Sequence, residues 1–159
     1  MTFNDLEEIK KAGFVGFKKM SNLFTDSSML PDQKGVYLIL NADNKSGEFL
    51  TVGSGGHFKG KNPNVSLEEL TSNWVDNTNV VYIGKATSLK SRLRQYFGFG
   101  QGKNIGHYGG RFIWQHKYSK DLIVCWKALS TDDPREFEAN LIKLFIQKFG
   151  KRPFANLKD

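Results

Sequence analysis

Two tyrosines on apolar runs, a lysine and an arginine just past the second of them, and one glutamate far downstream suit a common chemistry. They are Tyr37 in Gly35-Val36-Tyr37, Tyr82 and Lys85 in Tyr82-Ile83-Gly84-Lys85, then Arg92 with Tyr96, and Glu138. A phenol titrates near ~10 and is a weak base at neutral pH, but a nearby ammonium or metal-bound water favours the phenolate. Lys85, close behind Tyr82, supplies such an ammonium. Arg92 offers a permanently charged planar fork that can take a phosphate through two hydrogen bonds. A carboxylate aligned with an apolar stripe needs a cation to offset its desolvation, either a metal ion or a buried arginine. Together these are the parts of a metal-assisted phosphodiesterase. Each also has a plainer use. Tyrosines are common strand residents that need only packing. Glu138 can reach solvent at an edge position or pair with Arg92.

Positioning these groups requires particular elements. The turn residues Pro31-Asp32-Gln33-Lys34-Gly35 lead into a buried strand, Val36 to Leu40, and Val80 to Ile83 form a second. Ser88 caps a helix with Leu89, Leu93, Tyr96 and Phe97 on one stripe, and the i,i+4 spacing gives Arg92 and Tyr96 a common face. The last helix starts at the cap Asp133, with Pro134 in first position and Glu136 completing a capping-box-like arrangement, and stops at Gly150. On it Glu138 heads a stripe through Ile142, Phe145 and Phe149. Elsewhere the pattern predicts a short helix over 4–12, a glycine-broken apolar segment from Ala12 to Phe17, and mostly loop over 41–66. Ser66 caps a short helix running toward Trp74, and a glycine-rich loop from Gly98 to Gly110 carries His107. Phe112-Ile113-Trp114 and Leu122 to Trp126 read as further strands.

The chain has 159 residues, 39% apolar and 25% charged, which fits one globular domain. Its net charge of +7 is unevenly spread. Residues 1–84 carry 8 basic against 10 acidic side chains, whereas residues 85–152 carry 14 against 5. The basic excess begins at Lys85, and such a one-sided surface suits a polyanion. Lys90 and Arg94 lie off the Arg92 stripe and either meet a nucleic-acid backbone or face solvent. His107 is a candidate phosphate ligand or proton donor, and Arg111 a candidate phosphate contact. A lone Cys125 excludes an internal disulfide and a thiolate metal cluster. The start lacks a signal-peptide pattern and no apolar run approaches ~18 residues, so a cytoplasmic protein without a membrane segment is expected.

In this order the pieces resemble the GIY-YIG nuclease family. Gly35-Val36-Tyr37 stands for the first motif and Tyr82-Ile83-Gly84 for the second. Lys85, Arg92 and Tyr96 fall where the DNA-repair excision nucleases of that family use such residues. Glu138 in Glu-Ala-Asn-Leu-Ile resembles the metal-binding acid, and Asn156 in Arg152-Pro153-Phe154-Ala155-Asn156 the late asparagine. The resemblance covers residues 33–157. It implies an α/β fold of the α+β type, a small domain with a central three-stranded antiparallel sheet flanked by helices. It implies one divalent metal, Mg²⁺ or Mn²⁺, held by Glu138, and hydrolysis of DNA ahead of RNA. A tyrosine, Tyr37 in first place with Tyr82 as the other candidate, would deprotonate the attacking water. Lys85 would help keep that phenol ionised, Arg92 would stabilise charge on the phosphorane, and Tyr96 would position the phosphate. Asn156 would hold the site's architecture, and Lys90, Arg94, His107 and Arg111 join it as candidate substrate contacts.

The chain departs from the family pattern in two places. Residues 41–79 form a long insertion between the motif tyrosines, which either packs on the sheet edge or reaches over the substrate with its Lys59-Gly60-Lys61 tip. The N-terminal extension, residues 1–32, is too short for a separate targeting domain, so residues 1–159 are read as one domain. The competing reading on the same fold is a catalytically silent nucleic-acid-binding module.

Overall fold

β2 (Gly35–Leu40) is buried along its whole length, and the sheet is organised around it. A computed structural model describes residues 1–43 and 46–157. β2 pairs antiparallel with β3 (Val80–Ala86) on one side and with β4 (Ile123–Ala128) on the other. β1 (Val15–Lys19) adds antiparallel to β4, giving the order β1-β4-β2-β3. Period-two alternation sends Tyr37 and Ile39 of β2 to one face, with Val124 and Trp126 of β4. Val36, Leu38 and Leu40 go to the other face, with Cys125, Ile83 and Val80. α5 (Pro134–Phe149) covers this second face with Leu141 and Phe145, helped by Ile9 of α1 (Leu6–Lys11). The first face is covered by α4 (Leu89–Gly100), by α2 (Met20–Thr25) and by a 3₁₀ stretch from Tyr108 to Gln115. Among the described residues no helix is long and apolar enough to cross a membrane.

The sheet has four strands rather than the expected three. The extra strand is the glycine-broken segment, whose alternation is hidden by a bulge. Gly16 and Phe17 both have positive φ (99° and 55°), and the register with β4 shifts between Gly16 and Lys18. Trp126 stands where a side chain at position 16 would go, 2.4 Å from an ideal Cβ, so only glycine lets β1 close on β4. The N-terminal residues are therefore part of the sheet and not an appendage to it.

Phe112-Ile113-Trp114 is buried as expected but is 3₁₀ helix, not strand. A three-residue apolar run cannot display either period, so its hydrophobicity shows burial and nothing more. This stretch is the seat of the insertion. Buried Gln115 donates from Nε2 to the carbonyls of Leu50 (3.1 Å) and Val65 (3.0 Å), and its Oε1 accepts from the Val65 N–H (2.9 Å). The Leu50 N–H donates to the Gln115 carbonyl, the Ser54 N–H donates to that of Trp114, and Phe49 bridges to His116. One side chain thus joins both arms of the insertion to the core. Gln115→Leu keeps the volume but strands these buried amide groups, and is expected to cost about 2–4 kcal/mol in urea unfolding. A midpoint shift within error would show that the insertion is held by its apolar contacts instead. The insertion tip packs on the loop after α4, where the Lys59 N–H donates to Asn104 Oδ1 at 3.2 Å. α3 (Leu67–Asn73), capped by Ser66, ends one residue before Trp74.

Candidate active site

At the free edge of the sheet, β3 bends through a bulge that places both Val81 and Tyr82 on the α4 side. Tyr82 then lies diagonal to Tyr37, which sits opposite Gly84 in the register. The Tyr37 ring crosses directly over Gly84, 2.2 Å from where a Cβ would be, so the glycine of Tyr-Ile-Gly gives the first tyrosine its space. The two rings are 6.0 Å apart between centroids, and Tyr82 is 5.8 Å from Tyr96. The Tyr37 and Tyr82 side chains interact closely enough for each to affect the other's titration, raising Tyr37 and lowering Tyr82. Of the pair, Tyr82 borders open space while Tyr37 is only 1% exposed.

That space is a cleft of about 860 Å³ between β3, α4 and α5. Tyr82 and Lys85 enter it from β3, Arg92 from α4, and Glu138 from α5. Lys85 Nζ is 3.3 Å from Glu138 Oε1, where the sequence had suggested Arg92 as an alternative partner. The carboxylate is the more protected member, 16% exposed against 48% for the lysine. Among the described residues Glu138 is the single acid on the cleft wall, facing Lys85, Arg92, Arg135, Lys143 and Arg152. The last three are cleft residues that the sequence motifs did not flag. Arg135, three residues before Glu138, shares its helical face, as helix periodicity could have revealed; Lys143, five residues after it, lies about 140° round the helix and lines the cleft all the same.

Asn156 closes the open edge of β3. Its Oδ1 accepts from the Ile83 N–H (2.9 Å) and its Nδ2 donates to the Ile83 carbonyl (2.8 Å), as a neighbouring strand would. Tyr96 is fully buried and its hydroxyl donates to the Gly110 carbonyl at 2.8 Å, so it anchors the glycine loop and does not reach the cleft. Gly109 of that loop lines the cleft beside Tyr82. His107 is 1% exposed, packed at 4.3 Å on the Tyr96 ring, and neither ring nitrogen has a hydrogen-bond partner among the described residues. Lys90 and Arg94 border a different cavity with Asp32 and Ser88, and Arg94 Nε donates to Ser27 Oγ. Arg111, over the Phe112 ring, lines an adjoining groove.

Burial dominates the titration of these groups. It raises Tyr37 well above the usual phenol range and Tyr82 to about 12; Arg92 pulls both down. Tyr96 is likewise raised by burial. His107 is pushed down to about 3 by burial first and by the Arg92 charge second. Phenols raised in the folded state stabilise it below about pH 10, and that contribution is lost as pH climbs further. The expectation that Lys85 would lower a phenol meets a different arrangement, in which the lysine pairs with Glu138 and Arg92 acts on the tyrosines.

The donor set decides what ion the cleft suits. Among the described residues no group of three or more His, Cys, Asp or Glu side chains is placed to hold a metal. A caged transition metal therefore finds no seat here. A hard cation that keeps several waters and shares a substrate phosphate needs only one or two carboxylates, and Glu138 in a roomy cleft fits that.

The family model of the GIY-YIG catalytic domain matches residues 70–151, just over half of the chain. The chain belongs to the GIY-YIG family. The matched span holds Tyr82, Lys85, Arg92 and Glu138, whereas Tyr37 and Asn156 lie outside it and are tied to the site by contacts with Tyr82 and Ile83. For a GIY-YIG domain the general implication is nuclease activity on nucleic acid with a divalent metal ion. Searches of curated proteins and of solved structures gave no match.

Proposed function

We propose that this GIY-YIG protein is a metal-dependent endonuclease that hydrolyses phosphodiester bonds in DNA, ahead of RNA, in the cleft between β3 and α5. The observation that carries this reading is Glu138, the single carboxylate among the described residues of a cleft rich in cations, with Tyr82 on its wall. The cations attract and hold a phosphate. Arg92 clamps its oxygens with two guanidinium N–H groups and opposes the charge that grows on them. Tyr82 takes the proton of the attacking water at its phenolic oxygen, and the Tyr37 hydroxyl stabilises the resulting phenolate by donating to it. The tyrosine assigned as base is thus Tyr82, the one that borders the cleft, with Tyr37 behind it. Asn156 holds the β3 edge, and Tyr96 holds the loop that brings Gly109 to the wall. A Mg²⁺ or Mn²⁺ ion at Glu138 would supply Lewis-acid polarisation of the phosphate.

With the Tyr82 phenol raised to about 12, its ionised fraction grows tenfold per pH unit through the neutral range. Single-turnover cleavage is therefore expected to rise with unit slope in log rate from about pH 7 to 9. Tyr82→Phe should lose about 10²–10⁴-fold and the slope with it. A Tyr82→Phe profile parallel to the wild type would remove this tyrosine from proton transfer. The second reading, a nucleic-acid-binding module that does not cut, is favoured by one observation: burial keeps both phenols neutral. It predicts salt-sensitive DNA binding with no turnover in any divalent metal.

A further inference from the structure

The cleft cations other than Lys85 and Arg92 have no work assigned to them by the hydrolytic step. Arg135 and Lys143 line the cleft from α5, three residues before Glu138 and five after it. At ~1.5 Å rise per residue this spreads them across about 12 Å of helix with the carboxylate between them. One strand of duplex rises ~3.4 Å per nucleotide, so that span matches about three nucleotides. Arg152 continues the line, because the cleft adjoins a second groove of about 420 Å³ and shares Arg152, Asn156 and Leu157 with it.

The other basic side chains nearby are committed elsewhere. Lys127 Nζ donates to the Ala12 carbonyl (2.8 Å), Lys148 Nζ to that of Thr2 (2.7 Å) and Lys151 Nζ to that of Trp74 (2.6 Å). Glu138 is held by Lys85 and Glu69 borders the adjoining groove, yet Arg135, Lys143 and Arg152 make no ion pair among the described residues, and a row of phosphates would neutralise them.

We propose that Arg135, Lys143 and Arg152 form a phosphate track that grips the backbone on both sides of the bond at Glu138 and leads one end of the strand into the adjoining groove. The proposal rests on the reading of the cleft as a nuclease site. Arg135 takes the phosphate on one side of the scissile group and Lys143 the one on the other, with Arg152 next in line. These residues position substrate and take no part in proton transfer.

The test is the salt dependence of binding to a labelled short DNA duplex in EDTA, so that no turnover intervenes. Each of Arg135→Ala, Lys143→Ala and Arg152→Ala is expected to make the slope of log affinity against log salt shallower by about 0.9, and the triple variant by about three times that. Lys18→Ala, exposed on β1 at the opposite edge of the sheet, should leave the slope as it is. A triple variant with the wild-type slope, or a Lys18→Ala effect of equal size, would overturn the track. Cleavage in Mg²⁺ or Mn²⁺ is read separately. The triple variant retains Glu138, Lys85, Arg92 and Tyr82, so at saturating DNA its rate is expected within a few-fold of wild type while its KM rises. The expected slope changes in the variants, with a wild-type protein that never cuts, would sink the nuclease reading and leave the track standing.

Discussion

Arg92→Ala is expected to slow DNA cleavage about 10³-fold at saturating substrate, with the fold intact. The size of the effect comes from three roles that one guanidinium fills. It borders the cleft within reach of a phosphate. It is the cation that draws both phenols downward, so without it Tyr37 and Tyr82 become harder to ionise. It also repels a proton from His107. Removing a half-buried arginine whose recorded side-chain bond is a 3.4 Å contact to Gln95 Oε1 strands little, so stability should hold within ~1 kcal/mol. Arg92→Lys keeps the charge and loses the fork, and is expected to recover part of the rate and little of the geometry. Single-turnover rates on a cleaved duplex decide it. A loss of less than tenfold in Arg92→Ala would take the transition-state contact away from this residue.

The second large effect is acid sensitivity at a position remote from proton transfer. His107 is neutral in the folded protein, with its pKa depressed to about 3, and titrates near ~6.5 when unfolded. A basic group with a depressed folded pKa stabilises the fold above its unfolded value, and that contribution is lost as pH falls through 6.5 toward 3. Each pH unit in that window costs on the order of 1.4 kcal/mol from this one residue. Tyr96 packs on its ring and Arg92 adds positive charge nearby, so nothing recorded there offers the imidazolium a counter-charge. His107→Phe removes the titrating group and its two unpartnered nitrogens. The variant should equal or exceed wild-type stability near pH 5, with a visibly flatter fall between pH 6.5 and 4. Urea midpoints measured across that range provide the check. Parallel curves would mean that this imidazole is solvated or paired when charged.

Sequence made the site's parts legible where chemistry and local signals coincide. The cap Asp133, Pro134 and the left-handed stop at Gly150 bound α5 as expected, because capping is a local matter of a few residues. Ser88 caps α4 by accepting from the Ser91 N–H for the same reason. What local signals could not show was long-range. β1 was hidden because the strand that justifies Gly16 lies more than a hundred residues away, at Trp126. The partner of Glu138 was ambiguous because spacing along α5 says nothing of which cation β3 brings across. Arg92 and Tyr96 share a helical register, yet a stripe has two sides: one residue reaches the cleft and the other enters the core. No motif singles out Arg135, Lys143 and Arg152, which only the tertiary fold brings to one cleft.

The proposal of a metal-dependent nuclease site in this cleft stands on Glu138. The most direct measurement is conversion of supercoiled plasmid to nicked or linear forms in Mg²⁺, in Mn²⁺ and in EDTA, with wild type and Glu138→Ala side by side. Wild type is expected to cut with metal and not in EDTA, and Glu138→Ala not to cut at all despite unchanged melting and DNA binding. Glu138→Ala that cuts as fast as wild type, or wild type that binds DNA and stays inert in both metals, would contradict the proposal.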